Sequence, residues 1–510
     1  MTKIICNQFD GGIAESRYDK SPNVALDMYH FDAISDPNVL RNHCANQKDT
    51  VSGGTNSGTE NVYLYDACPR SNGSYIGLGI DSNGGSTVPK FYRKNGNDLN
   101  SYWQQSVIDA APSTSYTPYV NGAFAFQTYV YGVTYTSSGA TVSIYRYEGD
   151  ANATAMGTFA PTVASTSMAR VTVHSQDATA YLGIGKTITK FTGTTITANV
   201  LTLPYTILAT AEYNQYLAIL CVTDTGRGLV YLWGRDTSIT TLQELYLAGD
   251  DTPKTMMNIN GVLVVISQGY FSSSATNYFL EGKINARALL GGRFSLVKSI
   301  PTAALHGAQV PLLSNNCAVW KDVGYFLDAS SNCQLYACGW NRRGEFYIAK
   351  DRWGGYDGET ISSTQNFFNL GDYFVFAVNS SAVRISYANE PLYKTIDSYW
   401  KSIPNPMMAQ LAPADLPKIK QLKKVWARFY ANSAGYGVVS MKITADNSSE
   451  ITAFSESAPA GKNLFVIEAT TQSSGAELGS GRDLVFKLKT DQGVDLVDYG
   501  YEYETEETLI

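Results

Sequence analysis

The side chains of this chain best suited to chemistry are its seven cysteines and its acids, and neither set falls into a reactive pattern. Cys6, Cys44, Cys68, Cys221, Cys317, Cys333 and Cys338 are odd in number and scattered, so they define no disulfide framework. Cys333 and Cys338 fall on one expected strand, and four histidines in the whole chain complete no Cys/His shell for tetrahedral zinc. The thiols are expected to be buried and free. His43-Cys44 has the residue types of a nucleophilic pair. Neighbours on an extended chain point to opposite faces, however, which takes the imidazole away from the sulfur. Glycoside hydrolysis needs two carboxylates facing one bond. Among 45 acidic residues no pair is marked out by spacing, and an acid in a β turn is ordinarily a turn former. No Gly-x-Ser-x-Gly, Walker loop or His-Glu-x-x-His occurs, which removes the chemistries those motifs carry. The expectation is a non-enzyme with no catalytic, cofactor-binding or metal-ligating residues.

Binding groups are more plentiful. Lys418, Lys420, Lys423, Lys424 and Arg428 form the only basic cluster, interleaved with Trp426, Phe429 and Tyr430. A net charge of −7 and a pI near 5.3 argue against a phosphate-seeking surface. Alternation puts the charges on one side of a strand, so the cluster reads as a solvated sheet face, with a docking patch for an acidic partner as the alternative. Glu502, Glu504, Glu506 and Glu507 make the last strand acidic, a negative edge that discourages strand pairing. Trp103, Trp353 and Trp400 would stack on sugars if exposed, although large aromatics are more often core anchors. Asp81-Ser-Asn83-Gly-Gly85-Ser-Thr87-Val88 resembles the sialidase Asp-box, Ser-x-Asp-x-Gly-x-Thr-Trp, but replaces its Ser, Asp and Trp; such boxes are structural hairpins. Sequons at Asn72, Asn152, Asn379 and Asn447 are discounted. Asn, Ser and Thr are abundant, and the opening residues lack a basic start followed by an apolar core. No stretch approaches the roughly 18 apolar residues of a membrane span. A chain made in a cytosol, with no membrane insertion, is expected.

The elements that would position such groups are strands. Between about Ser74 and Tyr387 one phrase recurs seven times: a turn residue, a β-branched and aromatic run, a Gly/Ser/Asn turn, and a short aromatic strand. Asn214–Val222 is followed by Leu229–Trp233, Asn260–Ser267 by Asn277–Glu281, Asp322–Leu327 by Cys333–Ala337, and Asp372–Val378 by Val383–Tyr387. Looser copies are Tyr75–Ile80 with Lys90–Arg93, Phe124–Tyr135 with Val142–Tyr147, and Ala180–Ile184 with Ile188–Phe191. A period near 50 residues in short strands is the pattern of a β-propeller, of seven blades or alternatively six. The nearly continuous apolar runs read as inner strands and the alternating ones as outer strands; tandem β-sandwiches are the competing architecture. The 44 Gly, 35 Tyr and 20 Phe with 44% hydrophobic residues fit a Gly-turned all-β chain.

Composition divides the chain into an extended N-terminal arm (1–50), a propeller (51–402), a Pro-rich connector (403–417) and a β-sandwich (418–510). The opening, Phe9-Asp10-Gly11-Gly12-Ile13-Ala14 followed by His30-Phe31-Asp32-Ala33-Ile34-Ser35-Asp36-Pro37-Asn38-Val39-Leu40, resembles tailed-bacteriophage virion proteins in which an extended arm precedes a β-propeller. The closing Asp498-Tyr-Gly-Tyr-Glu-Tyr503 strand is similar to the end of that group. The resemblance covers the arm by residues and the rest by architecture. It implies a non-enzymatic structural protein of the tail or head-to-tail region, in several copies. Its arm would strap a neighbouring subunit, and its partners would be other virion proteins and copies of itself. No cofactor and no sequence-specific nucleic acid binding are implied. The alternatives are a virion adhesin that binds or hydrolyses host glycan, and a cellular scaffold with peptide partners.

Overall fold

A computed structural model describes residues 1–14, 21, 23–29, 31–32, 38–42, 47–49, 62–81, 89–95, 104–106, 116–149, 152–236, 242–247, 251–269, 283–301, 312–328, 334–353, 366–370, 373–378, 381–386, 398–431, 437–446, 448–459, 463–491 and 493–506. The chain is all-β, with one short helix, α1 (Met408–Leu411), and one 3-10 turn (Pro413–Asp415) among the described residues. It divides into a smaller unit, Met1–Ala45 with Gln334–Trp353 and Asn389–Ile510, and a larger one, Asn46–Cys333 with Gly354–Ala388. Four strands open the smaller unit: β1 (Thr2–Cys6), β2 (Ala25–Tyr29), β3 (Phe31–Asp32) and β4 (Arg41–Asn42). The larger begins with β5 (Gln47–Asp49).

Five four-stranded antiparallel sheets then follow in chain order. The first is β6 (Val62–Pro69), β7 (Ser74–Asp81), β8 (Pro89–Asn95) and β9 (Gln104–Ser106); the second is β10 (Tyr116–Phe126), β11 (Tyr129–Thr136), β12 (Val142–Gly149) and β13 (Asn152–Phe159). The third is β14 (Thr172–His174), β15 (Thr179–Ile184), β16 (Thr187–Phe191) and β17 (Ile196–Thr202). The fourth is β18 (Thr206–Tyr213), β19 (Tyr216–Val222), β20 (Gly228–Trp233) and β21 (Leu242–Tyr246). The fifth is β22 (Thr252–Ile259), β23 (Val262–Gln268), β24 (Lys283–Leu290) and β25 (Arg293–Pro301). Next, β26 (Leu312–Trp320) pairs with β27 (Val323–Asp328). In the smaller unit β28 (Gln334–Trp340) pairs with β29 (Phe346–Trp353). The larger unit ends on β30 (Asn366–Asn369), β31 (Tyr373–Val378) and β32 (Ser381–Ser386), whose sheet takes β5 as its fourth strand.

Local sequence explains these hairpins. Ile259 opposes Val262 across Asn260-Gly261, both at positive φ, the two-residue turn whose twist matches the strands it joins. The continuous apolar runs Thr179–Ile184 and Gly228–Trp233 are buried along their whole length. They are second and third strands of their sheets, covered on both faces as expected of inner strands. Faces are shared between successive sheets. Phe124 and Tyr131 pack with Leu182 and Phe191, Tyr181 with Leu217 and Trp233, and Leu220 and Val230 with Val265 and Phe294. First strands lie beside one another: β6 by β10, β14 by β18, β18 by β22, β22 by β26, β26 by β30, and β30 by β6. Asn277–Glu281, read as a strand from the sequence, lies outside the described residues.

The smaller unit is a two-sheet sandwich. Its later strands are β33 (Ser398–Ser402), β34 (Ile419–Ala431), β35 (Val438–Ala445), β36 (Ile451–Ser457), β37 (Leu464–Ala469), β38 (Ser480–Gly481), β39 (Leu484–Thr490) and β40 (Val494–Glu506). One sheet runs β1-β40-β34-β37, with β38 also on β34; the other runs β2-β33-β39-β35-β36. The tyrosines of the last strand point inward. Tyr501 stacks on Phe486 at 4.7 Å and donates to the Pro406 carbonyl at 2.9 Å, and Tyr503 donates to Asp415 at 2.9 Å.

The first fifty residues are distributed differently from the extended arm drawn from the sequence. Thr2 opposes Tyr503, Met28 opposes Trp400, and Leu40 bridges to Leu496, so this segment supplies an edge strand to each sandwich sheet, while β5 belongs to the larger unit. The phrase Phe9–Ala14 is a lock. Phe9 is fully buried against Trp400, edge-on at 5.2 Å. Gly11 N–H donates to Asn23 O, Asn23 Nδ2 donates to Asp10, and Ile13 N–H donates to Ile348 O. At Gly12, φ is +68° and a Cβ would stand 2.4 Å from Ile348 O, which only glycine accommodates.

Candidate functional site

Two regions gather polar side chains closely enough to be candidates. The first lies where first strands of the larger unit converge. Irregular register at Leu64/Asp66 in β6 and at Pro118/Ala123 in β10 marks bulges, which re-aim side chains out of the ladder. Asp66 is fully buried. One carboxylate oxygen accepts the Ala67 N–H at 2.9 Å and the other accepts the Ala123 N–H at 3.0 Å. Arg170, just before β14, places Nη2 3.9 Å from Asp66 and donates to Asn121 Oδ1 at 2.9 Å and to Phe367 O on β30 at 2.8 Å.

Burial pushes the Asp66 carboxyl up to about 6, and the Arg170 charge and the two amides pull it part of the way back. Further round, Thr210 donates to Arg170 O at 3.0 Å and meets Thr172 at 2.8 Å, and Thr255 donates to Cys317 Sγ at 2.9 Å. The arrangement is a hydrogen-bonded staple across first strands. With both Asp66 oxygens engaged by main-chain amides, its capacity is to hold β6, β10 and β30 together rather than to present an acid to a substrate. Nothing in the sequence marked Asp66 or Arg170; the bulges that bring them together depend on strand pairing.

The second region is the outer face of the sandwich sheet containing β34. Here the basic cluster meets the last strand through Lys423 and Arg428, and its other cations find partners elsewhere in the chain. β34 and β40 are antiparallel neighbours. Lys423 meets Glu504 at 3.3 Å, Arg428 pairs with Asp498, and Lys3 approaches Glu502 at 4.0 Å. On the other side Lys424 meets Glu468 of β37 at 2.7 Å. Lys418 pairs with Asp415 at 2.9 Å. Lys420 is buried and donates to the carbonyls of Leu416, Lys418 and Arg482; burial lowers its pKa. Trp426 lies against Gly500, where a Cβ would stand 2.1 Å from Cζ2, and Lys3 Nζ is 4.7 Å from the ring centroid. A face neutralised by its own chain has little charge left to recruit an acidic partner. Glu507 lies outside the described residues.

The other sequence candidates separate. Cys6, Cys68, Cys221 and Cys338 are buried free thiols, and burial pushes both Cys6 and Cys221 up to about 12. Trp400 is a core residue, 1% exposed, and so offers no face to a sugar. Asn72 shapes an exposed turn, accepting from Ser74 N–H at 3.1 Å. His43-Cys44, Cys333, Trp103 and the Asp-box-like turn lie outside the described residues, as do the side chains of Trp353 and of the sequons at Asn152, Asn379 and Asn447. Among the described residues no three of His, Cys, Asp and Glu are placed to hold a metal, and no helix is long and apolar enough to cross a membrane.

No family model matches the chain, and no curated protein matches it by sequence. Among solved structures it is similar to Raptor from Chaetomium thermophilum, at 9% identity and TM-score 0.41, over 68% of this chain and 30% of that one. This chain thus spans less than a third of the Raptor chain. It is also similar to an exo-β-1,3-galactanase from Phanerochaete chrysosporium (8% identity, TM-score 0.30, 90% of this chain and 100% of that one). A third similar structure is a gluconolactonase from Xanthomonas campestris (12%, 0.31, 51% and 82%).

Proposed function

We propose that this chain is a non-enzymatic structural protein of a tailed-phage virion, present in several copies in the tail or head-to-tail region, whose larger unit closes as a seven-bladed β-propeller. The closure reading is supported by the neighbours of the first strands, which return from β30 to β6, and by β5, which precedes the first sheet in sequence yet completes the last. Fastening the last sheet of a ring with a strand from the other end of the chain removes a free edge.

The observation that carries the assembly reading is the Phe9–Ala14 lock. The very residues that resemble the phage group are spent on joining the chain's opening to β29 and the sandwich core, a role in rigidity rather than in catalysis. Function in such a molecule resides in surfaces held at fixed spacing. The test is mass spectrometry and cryo-EM of gradient-purified particles from the encoding phage: the chain is expected at a fixed copy number around the tail axis. Its absence from particles, or release of reducing sugar from host polysaccharide by the purified chain, would overturn the proposal.

A further inference from the structure

We infer that the outer face of the sandwich sheet β2-β33-β39-β35-β36 is a contact surface for the phosphate backbone of duplex DNA, held without regard to sequence. Trp400, Met441, Phe486 and Leu488 are buried in the core, so by the strand period of two their neighbours Lys401, Lys442 and Lys487 point outward. Register then sets these lysines in one row: Lys401 opposes Lys487 on β39, and Lys487 opposes Lys442 on β35. Like charges directly opposed destabilise a sheet, and an anion laid across the row relieves that repulsion. The cations outnumber their partners. Glu450 alone serves both Lys442, at 3.4 Å, and Lys487, at 3.9 Å. Asp27, the cross-strand neighbour of Lys401, gives its oxygens to Lys350 at 2.7 Å and to the Tyr399 hydroxyl at 2.6 Å. Lys401 itself has no ion pair among the described residues.

The other sandwich sheet is the contrast, since Lys423, Lys424 and Arg428 there each hold a carboxylate of their own. Chemistry on the lysine face selects among anions. Protein interfaces are built on aromatic anchors and are depleted in lysine. Here the Tyr399 ring lies under Lys487 Nζ at 4.8 Å, and its hydroxyl is taken by Asp27. Single-stranded nucleic acid needs exposed rings on which bases stack, and the same cover denies it one. What remains is a row of point charges on strands roughly 4.8 Å apart, which suits a duplex whose phosphates face outward. A net charge of −7 conceals this local excess, because the excess arises from strand register. The contact goes beyond the virion reading, which decides only the choice of DNA over RNA.

Fluorescence anisotropy of a labelled random-sequence DNA duplex with the full chain tests it. Saturable binding is expected at low salt, with log affinity falling against log salt at a slope of about −2 to −3, as for two or three phosphate contacts. Lys401→Gln with Lys487→Gln should weaken binding at least about tenfold and flatten that slope by about one to two. The thermal transition should stay in place, because opposed like charges are removed. Lys423→Gln with Lys424→Gln makes the same change of net charge on the other sheet and should leave the affinity unchanged. No binding at low salt up to high micromolar chain overturns the inference. So does equal weakening by the two double variants, which would make the attraction one of bulk charge. Displacement of the duplex more readily by duplex RNA or polyglutamate than by unlabelled DNA at matched charge overturns it as well. Each of these results leaves the virion reading to its own test, presence in purified particles.

Discussion

In the larger unit, β18 meets β19 across Asn214-Gln215 and β22 meets β23 across Asn260-Gly261. In the smaller unit, Thr2 meets Tyr503 and Met28 meets Trp400. The first kind of pairing closes a loop of two residues; the second closes nearly the whole chain. Loop entropy grows slowly with length, so the long closures are affordable once a core rewards them. Charge is handled differently too. The larger unit buries Asp66 and spends a guanidinium and two amides on it, whereas the sandwich sets the Lys424–Glu468 pair on a solvated face. Buried polar groups carry large penalties when a partner is lost, and exposed pairs carry small ones.

The largest test of the contrast is deletion of residues 1–45. Ile4, Phe9, Met28 and Leu40 are fully buried, and at about 1.5–3 kcal/mol each their loss approaches the ~5–15 kcal/mol stability of a whole domain. Calorimetry should show the sandwich transition lost and that of the larger unit retained, with proteolytic cuts confined to residues 389–510. If the sandwich transition survives, the segment is the detachable arm that composition suggested.

Next in size is Arg170→Met, which leaves Asp66 buried without its cation. Because the Arg170 side chain is 32% exposed and stands 3.9 Å from the carboxylate, solvent screens part of the loss, which should be about 1–3 kcal/mol, read as a fall in the denaturant midpoint of the larger unit at neutral pH. Acid should partly rescue it, and the sign follows from linkage. Asp66 sits near 6 when folded against 3.8 for the free carboxyl, so the folded state holds a proton that the unfolded state has released. Its contribution to stability is complete below about 3.8 and is lost as pH rises through 6, amounting to about 3 kcal/mol at roughly 1.4 kcal/mol per unit. Asp66→Asn should remove that slope, and Arg170→Met should extend it above 6. Parallel pH curves for all three chains would show that the staple is not electrostatic.

These differences explain what the sequence made legible. The hairpins were, because Asn260-Gly261 and the apolar runs around it encode turn and strands within a few residues. The β-rich character of 418–510 was as well, through simple alternation, although β36 (Ile451–Ser457) carries no such pattern and was not picked out. The role of β1 was not: Lys3-Ile4-Ile5-Cys6 alternates too briefly to announce a partner at Tyr499–Tyr503. Asp66, Asn121 and Arg170 were invisible for a related reason. They meet only through bulges and through first strands drawn from several sheets, and each alone is an ordinary turn or strand residue. The basic cluster and the acidic tail are both legible, but the pairing of Lys423 with Glu504 and of Arg428 with Asp498 is a property of β34–β40 register, which no local pattern contains.

The smallest effect sharpens the comparison from the sandwich side. Lys424 and Glu468 are close, at 2.7 Å, but their side chains are 30% and 54% exposed, so water and salt screen the attraction and ordering two long side chains offsets much of what remains. Lys424→Ala should therefore cost about 0.5 kcal/mol or less in chemical denaturation at low salt, fading further as ionic strength rises. The double change with Glu468→Ala should add little to the single ones. A loss of several kcal/mol, insensitive to salt, would mean that the outer sheet face is held by its charges as tightly as the first strands are held by Asp66, and the distinction between the two units would collapse.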